Sequence, residues 1–181
     1  PELSKGEFER AVVTEFMDGG SLKDHIENPE SDILSSPDKV KDVAKKAYIG
    51  MNMLHTGGLV HLDIAPRNVL VSLKDNTRIK LADFGNSRPM ADLRTSLNVP
   101  LNTQIEPNDL RKNSSKYMGE NACFIDYYAL SLLILGLIHK KKVTNKTYCN
   151  LNTLDKVLGE MSVQARDILH HIESLTLEEL S

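Results

Sequence analysis

The sequence predicts a mostly helical α+β fold, a helical bundle that carries one small β-hairpin. Three observations predict it. Val40, Val43, Ala47, Met51 and Leu54 recur every three or four residues behind Ser36-Pro37, the spacing of an amphipathic helix. The run from Ala122 to Ile138 is apolar on every side, as in a buried helix. Val69-Leu70-Val71 and the segment from Ile79 to Ala82 are strand-sized, with a turn-like Lys74 to Thr77 between them. Composition agrees. The chain has 181 residues, 40% apolar and 26% charged, which suits a soluble globular domain or one large lobe. Lys and Arg total 22 against 25 Asp and Glu, so a net charge of -3 excludes a general electrostatic attraction to nucleic acid. Two cysteines, Cys123 and Cys149, argue against a disulfide scaffold and fit a reducing compartment. Tryptophan is absent, so the core must be mostly aliphatic.

Each element follows from its residues. Arg10 to Met17 is rich in β-branched and apolar side chains and reads as a strand. Asp18-Gly19-Gly20 breaks it, and Ser21 opens a short helix from Leu22 to Glu27. Asn28 to Ser36 reads as a loop. Ser36 is then a cap and Pro37 a first-turn residue, for a helix that stops at Gly57-Gly58. Leu59-Val60 leads into a polar knot, His61 to Asn68, and the hairpin follows with Asp83-Phe84-Gly85 at its end. Asn86 to Asn121 has little periodicity, which in a compact domain means a functional loop or a missed element. A buried helix is expected over 124–138, with further helices over 152–159 and 162–174. The polar first ten residues hold no apolar signal segment. The 122–138 run is short for a membrane span and contains Asp126, so it reads as core; Lys140-Lys141-Lys142 reads as a solvated helix end.

The chemistry concentrates in His61-Leu62-Asp63-Ile64-Ala65-Pro66-Arg67-Asn68 and in Asp83-Phe84-Gly85. Two carboxylates and an amide, on loops at the ends of short strands, can converge on one site. Asp83 can bind a hard divalent cation through oxygen, and Asn68 can add a second oxygen. Asp63 can orient or deprotonate a hydroxyl. Phosphoryl transfer needs that set: a cation to neutralise phosphate charge and a carboxylate to align the nucleophile.

These residues resemble the protein kinase family. H-L-D-I-A-P-R-N is similar to the catalytic loop H-R-D-L-x-x-x-N, and D-F-G to the metal-binding motif. The resemblance implies Asp63 as catalytic base, Asn68 and Asp83 as metal ligands, ATP and magnesium as cofactors, and His61 as a structural brace. Thr14-Glu15-Phe16-Met17-Asp18-Gly19-Gly20-Ser21-Leu22 resembles the kinase hinge. That implies a gatekeeper position at Thr14, backbone contacts to adenine from Glu15 and Met17, and Ser21 near the ribose. Leu70 would form the floor under the base, with Ala82 lining the nucleotide site. Phe124 to Leu130 resembles the start of the buried central helix, whose Asp126 would tie it to the catalytic-loop backbone. The implied layout is a protein-kinase-like C-terminal lobe. Residues 1–20 would be the last strand of the small lobe and the hinge, and 21–181 the large lobe. Within the large lobe the catalytic loop is 61–68, the activation segment 83–106 and the central helix 124–138.

The pattern also departs from the family. No G-x-G-x-x-G and no V-A-I-K-like strand occurs in these residues, so the chain is expected to be most of a large lobe that needs its small lobe in cis. Leu62 replaces the arginine that usually gathers an activation-loop phosphate, so that switch is expected to be absent. Gln104-Ile105-Glu106 is a degraded A-P-E. Ala65 and Arg67 look like a tyrosine-kinase loop and Pro66 like a serine/threonine one; the reading leans to serine/threonine. The expected partner is a protein substrate, with no nucleic acid and no membrane. The expected place is the cytoplasm, or a host cytosol for a secreted bacterial effector. Two alternatives stand beside the enzyme: a pseudokinase scaffold and a small-molecule, aminoglycoside-like phosphotransferase. Leu81-Ala82-Asp83-Phe84-Gly85 and the intact Asp63, Asn68 and Asp83 favour the protein kinase.

Overall fold

The computed structural model describes residues 12–74, 78–94 and 114–139. Three α-helices and two small antiparallel ladders build the described part: α1 (Leu22–Glu27), α2 (Pro37–Thr56), β1 (Leu59–Val60), β2 (Val69–Ser72), β3 (Arg78–Leu81), β4 (Arg88–Pro89) and α3 (Cys123–His139). The helices expected over 152–159 and 162–174, and the activation segment beyond Arg94, lie outside the described residues.

Helix α2 starts and stops where its punctuation dictates. Ser36 has extended backbone and its Oγ accepts from the Lys39 N–H at 3.3 Å. Pro37 takes the first turn, where its missing N–H costs nothing. One face buries Val40, Val43, Ala44, Ala47 and Met51, while lysines and acids hold the other in solvent. Helix α3 buries Ile125, Ala129, Leu130, Leu132, Leu133, Ile134 and Leu137. Its apolar surface runs nearly all round, with Phe124 and Tyr127 exposed in its first turns, so the sequence shows no amphipathic period there. It begins at Cys123, one residue before the expected start. Together α1, α2, α3 and the inner face of the hairpin form the main core.

The hairpin pairs Val69 with Leu81, Leu70 with Lys80, Val71 with Ile79 and Ser72 with Arg78. Alternation sends Val69 and Val71 inward. The segment before α1 is stitched to this hairpin. The Gly19 N–H donates to Val71 O and the Val71 N–H to Gly20 O, both at 2.8 Å, and Ser21 bridges Leu70. A Cβ at residue 19 would stand 2.8 Å from the Val71 carbonyl oxygen, so only glycine permits the approach. Asp18 Oδ1 accepts from Ser72 Oγ and from the Leu73 N–H at 2.9 Å each.

Three expectations need correction. The strand expected over 10–17 is not one where it is described: residues 12–17 join no ladder, and Val12, Val13 and Phe16 are 90, 96 and 83% exposed. β-Branched residues favour extended chain, but a strand needs a neighbour to satisfy its N–H and C=O groups, and no described residue supplies one. Leu59-Val60, given no element from sequence, is a strand paired with Arg88-Pro89. Two residues are too short for a period to show. The unpatterned stretches hold short 3-10 helices at Asp32–Leu34, Met90–Leu93, Ser114–Tyr117 and Gly119–Ala122, each burying one or two residues and leaving no repeat to read.

Candidate active site

The loop from His61 to Asn68 links β1 to β2 and is almost entirely buried, although loops normally lie at the surface. Its polar groups must therefore be satisfied internally. Asp126, fully buried in the first turn of α3, does much of this. Its Oδ2 accepts from the His61 N–H at 2.7 Å and its Oδ1 from the Leu62 N–H at 2.8 Å. That contact spans 65 residues and explains a carboxylate inside an apolar helix. With its amide held, Leu62 stays at φ 65°, a region that leucine rarely visits.

Asp63 follows, with its side chain 7% exposed. Arg67 Nη2 donates to Asp63 Oδ1 at 2.8 Å and to Oδ2 at 2.6 Å. Asn68 Nδ2 donates to the Asp63 backbone O at 2.8 Å and to its Oδ2 at 2.9 Å. One turn of loop thus sets the carboxylate against both side chains. The single 3-10 turn Pro66–Asn68 makes this possible, because it brings Arg67 and Asn68 back over Asp63.

His61 joins this loop to the second motif. Its ring is fully buried, with Nε2 3.2 Å from Ala82 O and Nδ1 accepting from the Asp63 N–H at 3.3 Å. Phe84 tilts against it, ring centres 5.2 Å apart. The Ala82 N–H donates to Asn68 O at 2.8 Å, so the residue before Asp83 is bonded directly to Asn68. Asp83 itself has left-handed backbone, φ 61° and ψ 71°, and is exposed; its Oδ1 accepts from the Gly85 N–H at 3.4 Å. Aspartate tolerates this conformation better than most residues, and here it turns the carboxylate out of the hairpin. Behind Phe84, an apolar cleft of about 480 Å³ opens between α2 and β3.

The donor set suits magnesium. Asn68 spends its amide N–H groups on Asp63, which leaves Oδ1 as the atom able to meet a cation. Asp83 would supply the charged oxygen. No group of three or more His, Cys, Asp or Glu gathers among the described residues. Two protein oxygens match an ion that keeps several waters and takes the rest of its shell from substrate phosphates.

The residues expected around a nucleotide divide into two groups. Ser21, Leu70 and Ala82 are brought together at the hairpin edge by the Ser21–Leu70 bridge and the Asn68–Ala82 bond. Ser21 also caps α1, its N–H and Oγ both donating to Asp24 Oδ2. Met17 is buried, whereas Thr14 and Glu15 face solvent. Glu15 pairs with Arg78 at 2.8 Å and with Lys80 on β3. The Lys80 hydrogen bond, followed by the Arg78 and Lys80 charges, holds the Glu15 carboxyl below its ordinary value.

One participant escapes the sequence reading. His55, in the last turn of α2, places Nε2 2.9 Å from Asp126 Oδ2. A histidine at a helix C-terminus reads as a dipole partner, and nothing local shows that it meets a carboxylate 71 positions later.

The buried loop, its carboxylate anchor and the hairpin motif together fit a protein-kinase-like fold. The model of the protein kinase domain matches residues 4–176, and the chain belongs to that family. It is 30% identical over 175 residues to the serine/threonine-protein kinase CLA4 of Saccharomyces cerevisiae, covering 92% of this chain and 19% of that protein. It is 28% identical over 162 residues to the dual specificity protein kinase shkB of Dictyostelium discoideum, covering 88% of this chain and 23% of that protein. It is 37% identical over 99 residues to the tyrosine-protein kinase receptor svh-2 of Caenorhabditis elegans, covering 53% of this chain and 8% of that protein. The chain thus spans less than a quarter of each of these relatives.

Proposed function

We propose that this domain transfers the γ-phosphoryl group of Mg-ATP to a protein hydroxyl, with serine or threonine preferred over tyrosine. The observation that carries the reading is the junction of the two motifs: Asp63 and Asn68 share a hydrogen bond, and Asn68 is bonded to the residue that precedes Asp83. Asp63 accepts from and aligns the acceptor hydroxyl. Arg67 and Asn68 hold its carboxylate in one orientation, so less freedom is lost when a substrate arrives. Asn68 Oδ1 and Asp83 would hold magnesium, which supplies charge neutralisation on the phosphates when bound. His61 keeps the loop and the D-F-G segment in fixed relation. Thr14, Glu15, Met17, Ser21, Leu70 and Ala82 would line the nucleotide site. The serine/threonine preference is supported by the similarity to CLA4, and the tyrosine arm is kept in the assay by svh-2 and shkB.

The test uses the full-length protein with labelled ATP, protein acceptors carrying each hydroxyl type, and an aminoglycoside. Phosphoserine or phosphothreonine formed by wild type, and lost in D63N and D83N, is the expected result. D83N should also lose the magnesium-dependent part of ATP binding in a thermal-shift titration. Nucleotide binding without transfer to any acceptor would replace the enzyme with a scaffold. Transfer to the aminoglycoside alone would replace the protein substrate.

A further inference from the structure

His25 stands in the last turn of α1, outside both the 61–68 loop and the D-F-G segment, yet both of its ring nitrogens are engaged. Nε2 lies 2.8 Å from Gly19 O, and Nδ1 lies 2.8 Å from Ser31 Oγ. A carbonyl oxygen only accepts, so a proton sits on Nε2 and the ring donates to Gly19. Ser31 is 5% exposed, and its hydroxyl can give or take a bond, so it serves Nδ1 from the loop after α1. The ring is thus a strut. One end rests on the residue that precedes the 3-10 turn Asp32–Leu34, and the other on the segment that leads into α1.

That strut meets a peptide unit that the hairpin does not hold. Val71 fixes the units on either side of it. The Asp18–Gly19 unit donates its N–H to Val71 O, and the Gly20–Ser21 unit accepts from the Val71 N–H, both at 2.8 Å. The unit between them, Gly19–Gly20, presents its carbonyl to His25. Turning a peptide unit over changes ψ of the residue before it and φ of the residue after it. Side chains normally resist that rotation. Here both residues are glycine, and Gly20 already stands at φ 72°, so local sterics oppose a flip least at this point of the chain. The N–H of His25 selects one orientation. Met17 lies just before this unit and Ser21 just after it, and Ser21 bridges Leu70. A flip would displace both sides of the surface proposed for the nucleotide.

We propose that His25 is a positioning residue for nucleotide binding. By donating from Nε2 to Gly19 O it holds the Gly19–Gly20 peptide in one orientation, and so keeps Met17 and Ser21 in register around the nucleotide. The proposal rests on the Mg-ATP reading above and assigns His25 no contact with the nucleotide.

The experiment compares H25N and H25Q with wild type in the full-length protein. Asparagine keeps a polar group at the level of Nδ1, near Ser31, but ends short of Gly19 O. Glutamine extends an N–H to the level of Nε2. In H25N the Kd for Mg-ATP and the KM for ATP should rise about 3- to 10-fold, the effect of one lost hydrogen bond. The kcat should stay within about twofold, the signature of weakened binding with chemistry intact, and H25Q should bring Kd and KM back within about twofold of wild type. Backbone hydrogen exchange over residues 18–22 should accelerate in H25N and slow again in H25Q. Where H25N does not fold, H25F, which keeps a ring and loses both bonds, takes its place. Unchanged Kd and KM, a kcat that falls as far as KM rises, or H25Q no better than H25N would overturn the proposal. If wild type binds no Mg-ATP, the nucleotide reading falls by itself and exchange decides. Faster 18–22 exchange that H25Q reverses upholds the positioning of the peptide; unchanged exchange ends it.

Discussion

Leu62→Ala should destabilise the protein by about 3 to 4 kcal/mol, within the range for truncating a buried leucine. Leu62 is 2% exposed and packs with Val60, Leu93, Tyr117, Ala122 and Ile125, with Met90 and Cys123 beside them. The cost has two parts, the lost transfer energy of the removed carbons and the cavity they leave. Collapse would shrink the second part, but these walls come from β1, from the turns around Leu93 and Tyr117, and from α3. Walls fixed by separate elements cannot all move in, so the middle of the range applies. Leu62 also sits at φ 65°. Glycine is normally worse than alanine by about 0.5–1 kcal/mol, but here it escapes about 1–2 kcal/mol of left-handed strain. L62G should therefore be no less stable than L62A. Urea unfolding with a common m-value measures both. A loss under about 1 kcal/mol in L62A, or L62G clearly below L62A, would refute the packing and the strain respectively. The cluster also explains how a leucine serves where the resemblance places an arginine. Leu93 and Met90, from the segment after D-F-G, are held against the loop by burial, and burial needs no phosphate.

Two further outcomes follow from the same geometry. Asp126→Asn keeps one acceptor oxygen but turns an N–H toward the backbone amide of His61 or Leu62; it should cost about 2 to 3 kcal/mol for the orphaned donor, read by urea unfolding, and abolish transfer. Glu15 gives a pH signature. Its folded pKa lies below its ordinary 4.5, so its stabilising contribution is present above that value and fades as pH falls through the lower folded one. E15Q should lower the melting temperature slightly above that range and converge with wild type in acid, flattening the acid side of the profile, and an unaltered profile would show that the Lys80 and Arg78 pairs contribute nothing.

Much of the chain could be read locally. Ser36-Pro37 and Gly57-Gly58 mark the ends of α2 because capping and termination depend on neighbouring residues alone. The hairpin was legible because its strands are short and adjacent, with D-F-G at its end. The family resemblance was legible because phosphoryl transfer demands particular side chains at particular spacings. Residues 10–17 misled because extended propensity is a local property while strand pairing is not. The β1–β4 ladder and the 3-10 turns were silent because two to four residues cannot show a period.

The sequence by itself thus determined α1, α2, α3 and the hairpin, and it pointed to the carboxylates proposed to carry the chemistry. Only the tertiary structure decided how those carboxylates are held. Asp126 looked like a carboxylate out of place until the His61 and Leu62 amides reached it, and His55 looked like a helix end until its ring did. Leu62 looked like a missing arginine until its apolar surroundings closed over it. In each case the partner lies far along the chain, and a hydrogen bond or a buried contact depends on distance in space, which spacing in sequence does not contain.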